Sequence, residues 1–233
     1  MKPEWEPEWE IGKEEFLKRL GCSEYEFAER LSLPKIRNIG RIVPLKHLRT
    51  VASLVPISFA LLGTLLRRVR TVSGELPFRT AKFELSHINP SHCSVGQMFV
   101  YRENYQHLLV ELSLLFGTFA IPAGVTQLGA FFVFGEDRNG AIAMACYLPP
   151  IIERHETLVV MDGIHRNYLA KQMGTTLCAI VASNVSVPFP CEPHEWRDVG
   201  VINAMDKPHN INNRYFGLRE ELFRDLKYLG IDG

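Results

Sequence analysis

The run Glu156–Val181, "ETLVVMDGIHRNYLAKQMGTTLCAIV", constrains the fold more than any other part of the chain. Leu158–Met161 is a short apolar stretch of strand length. Asp162 and Gly163 interrupt it, Ile164 to Met173 reads as a helix, Gly174 sits where helices stop, and Thr175 onward is again strand-like. A chain that passes from strand to helix to strand within 26 residues needs a sheet with a helix against it, which excludes all-helical and all-β architectures. Other segments extend the pattern. "AKFELSHINPSHC" offers Phe83, Leu85 and Ile88 for a strand closed by Asn89-Pro90, and Glu103–Phe116 has helical spacing closed by Gly117. "TFAIPAGVTQ" reads as extended, and "LGAFFVFGEDRNGAIAMACYL" as a hairpin turning at the polar "GEDRNG".

The fold class expected is therefore α/β in the α+β sense, a mixed-sheet domain over residues 79–190. It is preceded by a helical, basic module over 1–78 and followed over 191–233 by a loop and a C-terminal helix carrying Phe216, Leu218, Leu222, Leu226 and Leu229. In the N-terminal module, Phe16, Leu17, Leu20 and then Phe27, Ala28 and Leu31 fall at helical spacing. Gly21 stands there as a C-cap and Ser23 as an N-cap, a cadence like a helix-turn-helix and equally like a packing pair. Val51–Leu66 is uncharged but interrupted by Pro56 and too short to span a bilayer, so a buried helix is expected there and no membrane partner.

The net charge is zero, with 26 basic and 26 acidic side chains. Their distribution is uneven. Acids dominate Met1–Arg30, whereas residues 31–83 carry Lys35, Arg37, Arg41, Lys46, Arg49, Arg67, Arg68, Arg70, Arg79 and Lys82 against Glu75. That stretch suits DNA or another polyanion, or serves to neutralise the acidic segment. Five cysteines without a C-x-x-C pair argue against zinc fingers and disulfide frameworks, and with the acidic N-terminus they lead to a cytoplasmic expectation.

The corner itself carries chemistry. A helix that starts directly after a strand presents unpaired N–H groups and the positive end of its dipole, an anion site that phosphate commonly fills. Gly163 relieves the turn and admits a ligand to the backbone of Gly163 and Ile164. Arg166 adds a planar multi-donor cation, and His165 a donor or proton carrier near neutral pH. Asp162 is placed to hold a metal such as Mg²⁺ or to orient a hydroxyl, unless it simply caps the helix. In "HNINNRY", Asn212, Asn213 and Arg214 supply donors for a polar substrate, or belong to a turn-rich linker.

The segment "LVVMDGIHRNYLAKQMGTTLCAIV", with "ELSHINPS", "LLVELSLLFG" and "FAIPAGV" upstream in order, resembles the ParB/sulfiredoxin-like superfamily over roughly Phe83 to Val187. Sulfiredoxins carry a Cys immediately before the His-Arg pair, where this chain has Ile164, so a sulfinic-acid reductase is not implied. ParB proteins carry a Gly-Glu-Arg-Arg-like motif that binds CTP, replaced here by Ile164-His165-Arg166. The Asp-Gly-x-His-Arg form is most similar to the free serine kinases of this superfamily. The resemblance implies a nucleotide (ATP, ADP or CTP) with Mg²⁺, phosphates held by Gly163, His165 and Arg166, and Asp162 at the reaction centre. Those kinases use a loop Glu as base, and this chain has His92 there, leaving His92, His87 or Glu84 as candidates. The function expected is a nucleotide-dependent phosphotransferase or NTPase acting on a hydroxyl, with a nucleotide-regulated, ParB-like DNA-binding protein as the alternative and a homodimer compatible with either.

Overall fold

The computed structural model describes residues 10–31, 39–109, 129–229 and 231. In chain order its first elements are β1 (Ile11–Gly12), α1 (Lys13–Leu20), α2 (Glu24–Leu31), β2 (Arg41–Ile42), β3 (Ser53–Pro56) and α3 (Phe59–Leu66). Next come β4 (Lys82–Ile88), β5 (Cys93–Val95), β6 (Phe99–Tyr101), α4 (Arg102–His107), β7 (Phe131–Glu136) and β8 (Ile142–Tyr147). The last are β9 (Ile151–Arg154), β10 (Leu158–Asp162), α5 (Ile164–Gln172), β11 (Leu177–Ser183) and β12 (Gly200–Ile202). The class is mixed α/β, as expected, and among the described residues no helix is long and apolar enough to cross a membrane.

The chain forms two compact units: Met1–Arg70 with Gln127–Leu148 and Arg224–Gly233, and Thr71–Thr126 with Pro149–Phe223. In the first, the expected hairpin is present, β7 and β8 pairing antiparallel from Phe131↔Tyr147 to Glu136↔Ile142. Its partners differ from the expectation of a 79–190 domain. β2 adds parallel to β8, β3 antiparallel to β7 and β1 antiparallel to β2, giving the order β1-β2-β8-β7-β3. The hairpin thus belongs with the N-terminal module, which is not purely helical. Strands of two to four residues have no periodicity to read, and they exist because the hairpin's edges supply hydrogen-bond partners. The helix expected across 51–66 splits for a local reason. Pro56 lacks an N–H, and Ser58 caps a new helix by accepting from the Leu61 N–H at 3.2 Å.

The α1–α2 turn follows the sequence closely. Gly21 ends α1 in the left-handed region at φ 65°, and Ser23 opens α2 with a reciprocal capping box. The Ser23 Oγ accepts from the Glu26 N–H (3.2 Å), while the Glu26 carboxylate accepts from the Ser23 N–H (2.7 Å). Phe16 meets Phe27 edge-on at 5.5 Å, and Phe27 meets Phe132 at 5.6 Å, tying both helices to β7.

The second unit is built on a five-stranded sheet in the order β4-β11-β9-β10-β5. β10 pairs parallel to β5 and antiparallel to β9, while β11 pairs parallel to β9 and antiparallel to β4. Alternation along β10 sends neighbours to opposite faces. Val160 joins Val95, Ile152, Ile164, Val181 and Trp196, whereas Val159 joins Phe189 and Cys191 with Met161, Tyr215 and Leu218 packed alongside. The C-terminal helix expected from the leucine spacing is absent as such. Residues 211–229 form 3₁₀ turns at Ile211–Arg214, Glu220–Leu222 and Leu226–Leu229. Gly217, at φ 53°, breaks any helix running through Phe216 and Leu218. Of the helix expected at Glu103–Phe116, residues 103–107 lie in α4 (Arg102–His107) and residues 108–109 continue it with wider, π-type turns; residues 110–116 and the "TFAIPAGVTQ" segment lie outside the described residues.

Candidate functional site

The strand-to-helix corner forms as the sequence indicates, but its parts are used differently. β10 carries a register shift between Val160 and Asp162. Gly163 follows in the left-handed region (φ 78°, ψ 32°), and α5 starts at Ile164. A Cβ at Gly163 would lie 2.8 Å from Pro150 Cβ and 3.0 Å from Arg166 Nη2. Glycine is thus required by both the turn and its packing. The space expected to admit a ligand to the Gly163 α-carbon is occupied by Pro150, so ligand access would be to the amides that follow.

No side chain caps α5. Asp162 does not take that role. Its Oδ2 lies 3.6 Å from Arg166 Nη2, an i,i+4 pair in which Arg166 is buried and Asp162 largely so. This pair holds the guanidinium beside Gly163, at the start of the helix. Asn167, wholly buried, fixes the turn from below, its backbone and side-chain N–H groups both donating to the Gly163 carbonyl at 3.0 Å. Ile164 points into the core, leaving its backbone amide as its contribution to an anion site.

His165 has a different task from the one expected. Its Nε2 accepts the backbone N–H of Tyr101 at 3.0 Å, and the two rings lie 5.7 Å apart. An acceptor nitrogen carries no proton, so in this state any ring proton is on Nδ1. His165 thereby joins the start of α4 to α5.

The remaining candidates lie at unequal distances. Glu84 is in register with Val181, which is in register with Ile152 and that with Val160. Three strand spacings place it about 14 Å across the sheet from β10. There it is exposed and paired with Arg154 at 3.4 Å. The structure does not bring it to the corner. His87 is also exposed on β4. His92 ends the Pro90–His92 turn, which packs against α5 and is anchored by Trp196 Nε1 donating to the Pro90 carbonyl at 2.7 Å. Its side chain is exposed. In the polar loop, Arg214 donates to the carbonyls of Pro208 (2.7 Å) and His209 (3.0 Å), and Asn212 to Glu220 Oε1 (2.7 Å). Those two residues hold the loop's own shape, and Asn213 is exposed.

Among the described residues no group of three or more His, Cys, Asp or Glu side chains converges as a metal site. Asp162 offers a single carboxylate already drawn toward Arg166, which does not fit a metal centre held by the protein. The nearby thiols are poor nucleophiles. Burial pushes Cys93, at the start of β5, up to about 11, and burial also raises Cys178.

Within the unit that holds the corner, two acid–histidine pairs among the described residues were missed from the sequence. Glu153, wholly buried on β9, meets His155 Nε2 at 2.7 Å, and His194 Nδ1 meets Asp198 Oδ2 at 3.1 Å. Their spacings, i,i+2 running off the end of β9 and i,i+4 into a turn, were the available signal. Comparison of the chain with protein-family models, curated proteins and solved structures finds no match.

Proposed function

We propose that the corner binds the phosphates of a nucleotide, and that the protein is a nucleotide-dependent phosphotransferase or NTPase acting on a hydroxyl. The observation that carries this reading is the start of α5. Its first-turn amides have no side-chain cap, and a buried guanidinium, steered by Asp162, lies beside Gly163 where the helix begins. Helix amides and arginine both favour a multiply charged oxyanion. Phosphoryl transfer needs positioning and charge neutralisation more than covalent chemistry, and the corner supplies both. In this reading Ile164, His165 and Arg166 contribute backbone N–H groups, the Arg166 guanidinium grips phosphate oxygens, and Asp162 orients it. ATP, ADP and CTP are the candidate nucleotides, and Mg²⁺ belongs to the nucleotide complex rather than to a protein-held centre. The order of strand, Asp-Gly corner, helix and strand supports a ParB/sulfiredoxin-like domain. The DNA-binding alternative draws on the basic residues of 31–83, of which Arg41 is engaged by Glu10 (3.1 Å) and by Asp137.

Calorimetric titration of ATP, ADP and CTP with Mg²⁺ tests the reading. Wild type binds at least one of them. Arg166→Ala loses charge-assisted hydrogen bonds of about 1.5–3 kcal/mol, which weakens Kd by about 10- to 100-fold. Equal affinity in the variant sinks the assignment.

A further inference from the structure

His194, outside the corner, is an imidazole restrained from three directions. Its backbone bridges Val95 in both directions, the Val95 N–H donating to His194 O and the His194 N–H to Val95 O, each at 2.9 Å. Its ring stacks on Phe216, with centroids 3.9 Å apart and planes 16° from parallel. Phe216 is itself fixed, donating its N–H to Gly96 O at 2.9 Å and accepting from the Glu192 N–H at 2.8 Å. The third restraint is Asp198, whose Oδ2 lies 3.1 Å from His194 Nδ1. A carboxylate only accepts, so Nδ1 carries the proton and Nε2 presents its lone pair. The side chain is about one-third exposed, at 35%, so that lone pair is within reach of solvent or substrate. An exposed Asp–His pair contributes little to stability. The arrangement is the one in which a carboxylate sets the tautomer and orientation of a proton-accepting imidazole.

Its place in the fold connects it to the corner. Val95 ends β5, and its parallel partner on β10 is Val160, two residues before Asp162. His194 thus lies two strand spacings, about 10 Å, to the side of β10, and about 7 Å short of Asp162 along the strand. Asp162 ends β10, and His194 is bridged to the last residue of β5, so both flank the carboxyl ends of two parallel strands, where α/β sheets place ligands. The polar segment ending in Arg214, Tyr215 and Phe216 runs along the same end. Met98 donates to the Arg214 carbonyl (2.8 Å), and Gln97 bridges Tyr215.

We propose that His194, oriented by Asp198, is the general base of the phosphotransfer site. The proposal rests on the nucleotide reading above. The acceptor hydroxyl gives its proton to His194 Nε2, and its oxygen pair forms the new P–O bond. The bond from that phosphorus to the leaving nucleoside diphosphate breaks, its electrons staying on the diphosphate oxygen. Asp198, a positioning residue, stabilises the imidazolium that forms. His92 and Glu84 have no part in this step.

The test uses the full chain, with water as the acceptor. Nucleotide binding is measured by calorimetry, phosphate release from ATP is followed for wild type, His194→Gln and Asp198→Ala, and ¹⁵N NMR reports the His194 tautomer. Expected are unchanged ATP affinity in His194→Gln, phosphate release lower by about 10²-fold or more, and an Nδ1–H tautomer in wild type that is lost in Asp198→Ala together with turnover. If ATP binds and His194→Gln turns over like wild type, the base assignment falls while the corner reading stands. An Nε2–H tautomer in wild type overturns the proposal without any nucleotide. So does a wild type that binds ATP but releases no phosphate. If wild type binds no nucleotide, the corner reading fails and takes this one with it.

Discussion

Replacing Gly163 by alanine separates what the corner needs to fold from what a ligand would need. Two penalties add at this position. An L-residue held in the left-handed region costs about 1–2 kcal/mol. The new Cβ also falls 2.8 Å from Pro150 Cβ, an overpacking of the kind that costs about 1–3 kcal/mol. The other end of the same helix supplies the control. Gly174 is left-handed too (φ 63°), yet a Cβ there meets nothing within 4 Å, so Gly174→Ala carries only the first penalty, about 1–2 kcal/mol. Both variants are compared by urea unfolding, read from Trp196 fluorescence with Trp5 and Trp9 replaced by Phe. Trp196 is buried in the core of the unit that holds the corner. Gly163→Ala should lose about 1–3 kcal/mol more than Gly174→Ala, and a Pro150→Gly background should close most of that gap. If the two alanine variants lose the same amount, the Pro150 contact does not constrain the corner and the steric argument is wrong.

Two further outcomes follow from charge and burial. Burial would raise the Asp137 carboxyl, but donation from Arg41 and from the Ala141 and Asn139 N–H groups outweighs it and holds the group below the ordinary carboxylate range. A lowered folded value contributes stability above the unfolded pKa, near 4, and that stability is lost as pH falls through the folded value. Urea midpoints taken from pH 6 down to pH 2 should therefore drop less steeply for Asp137→Asn than for wild type; parallel curves would refute this. Iodoacetamide labelling at pH 8, read by mass spectrometry, should modify the partly exposed Cys22 and Cys178 before Cys93 and Cys146, whose thiols burial pushes up. Early labelling of Cys146 would contradict its burial in β8.

What the sequence disclosed was local. Gly21 and Ser23 read as caps because a cap depends on residues within one helical turn. The strand, corner and helix around Asp162 were legible because Gly163 and Gly174 mark both ends of α5. The hairpin was legible because two apolar runs flank a turn, yet nothing local says which strands will add to its edges. β1, β2 and β3 are defined by those edges, so they were invisible. The same limit applied to the site. That Asp162 would turn to Arg166 rather than cap α5, and that His165 would receive the Tyr101 N–H from 64 residues away, depends on tertiary placement. The His194–Asp198 spacing was in plain view, but the stack on Phe216 and the bridge to Val95 that give it meaning are not local.

The hairpin's allegiance also orders events during synthesis. The strands at its two edges, β2 and β3, precede it by roughly 80 to 100 residues, and the segment between them contains β4, β5, β6 and α4 of the other unit. β2 and β3 leave the ribosome long before β8 and β7 exist to receive them, while the other unit waits for β9, β10 and β11, which follow the hairpin. Neither sheet can close until most of the chain has been made. Such long-range closure slows folding and leaves strand edges exposed while it lasts. A nascent chain of this design has reason to recruit a chaperone between the emergence of β3 and that of β11, a dependence that a stability measurement on the finished protein would never register.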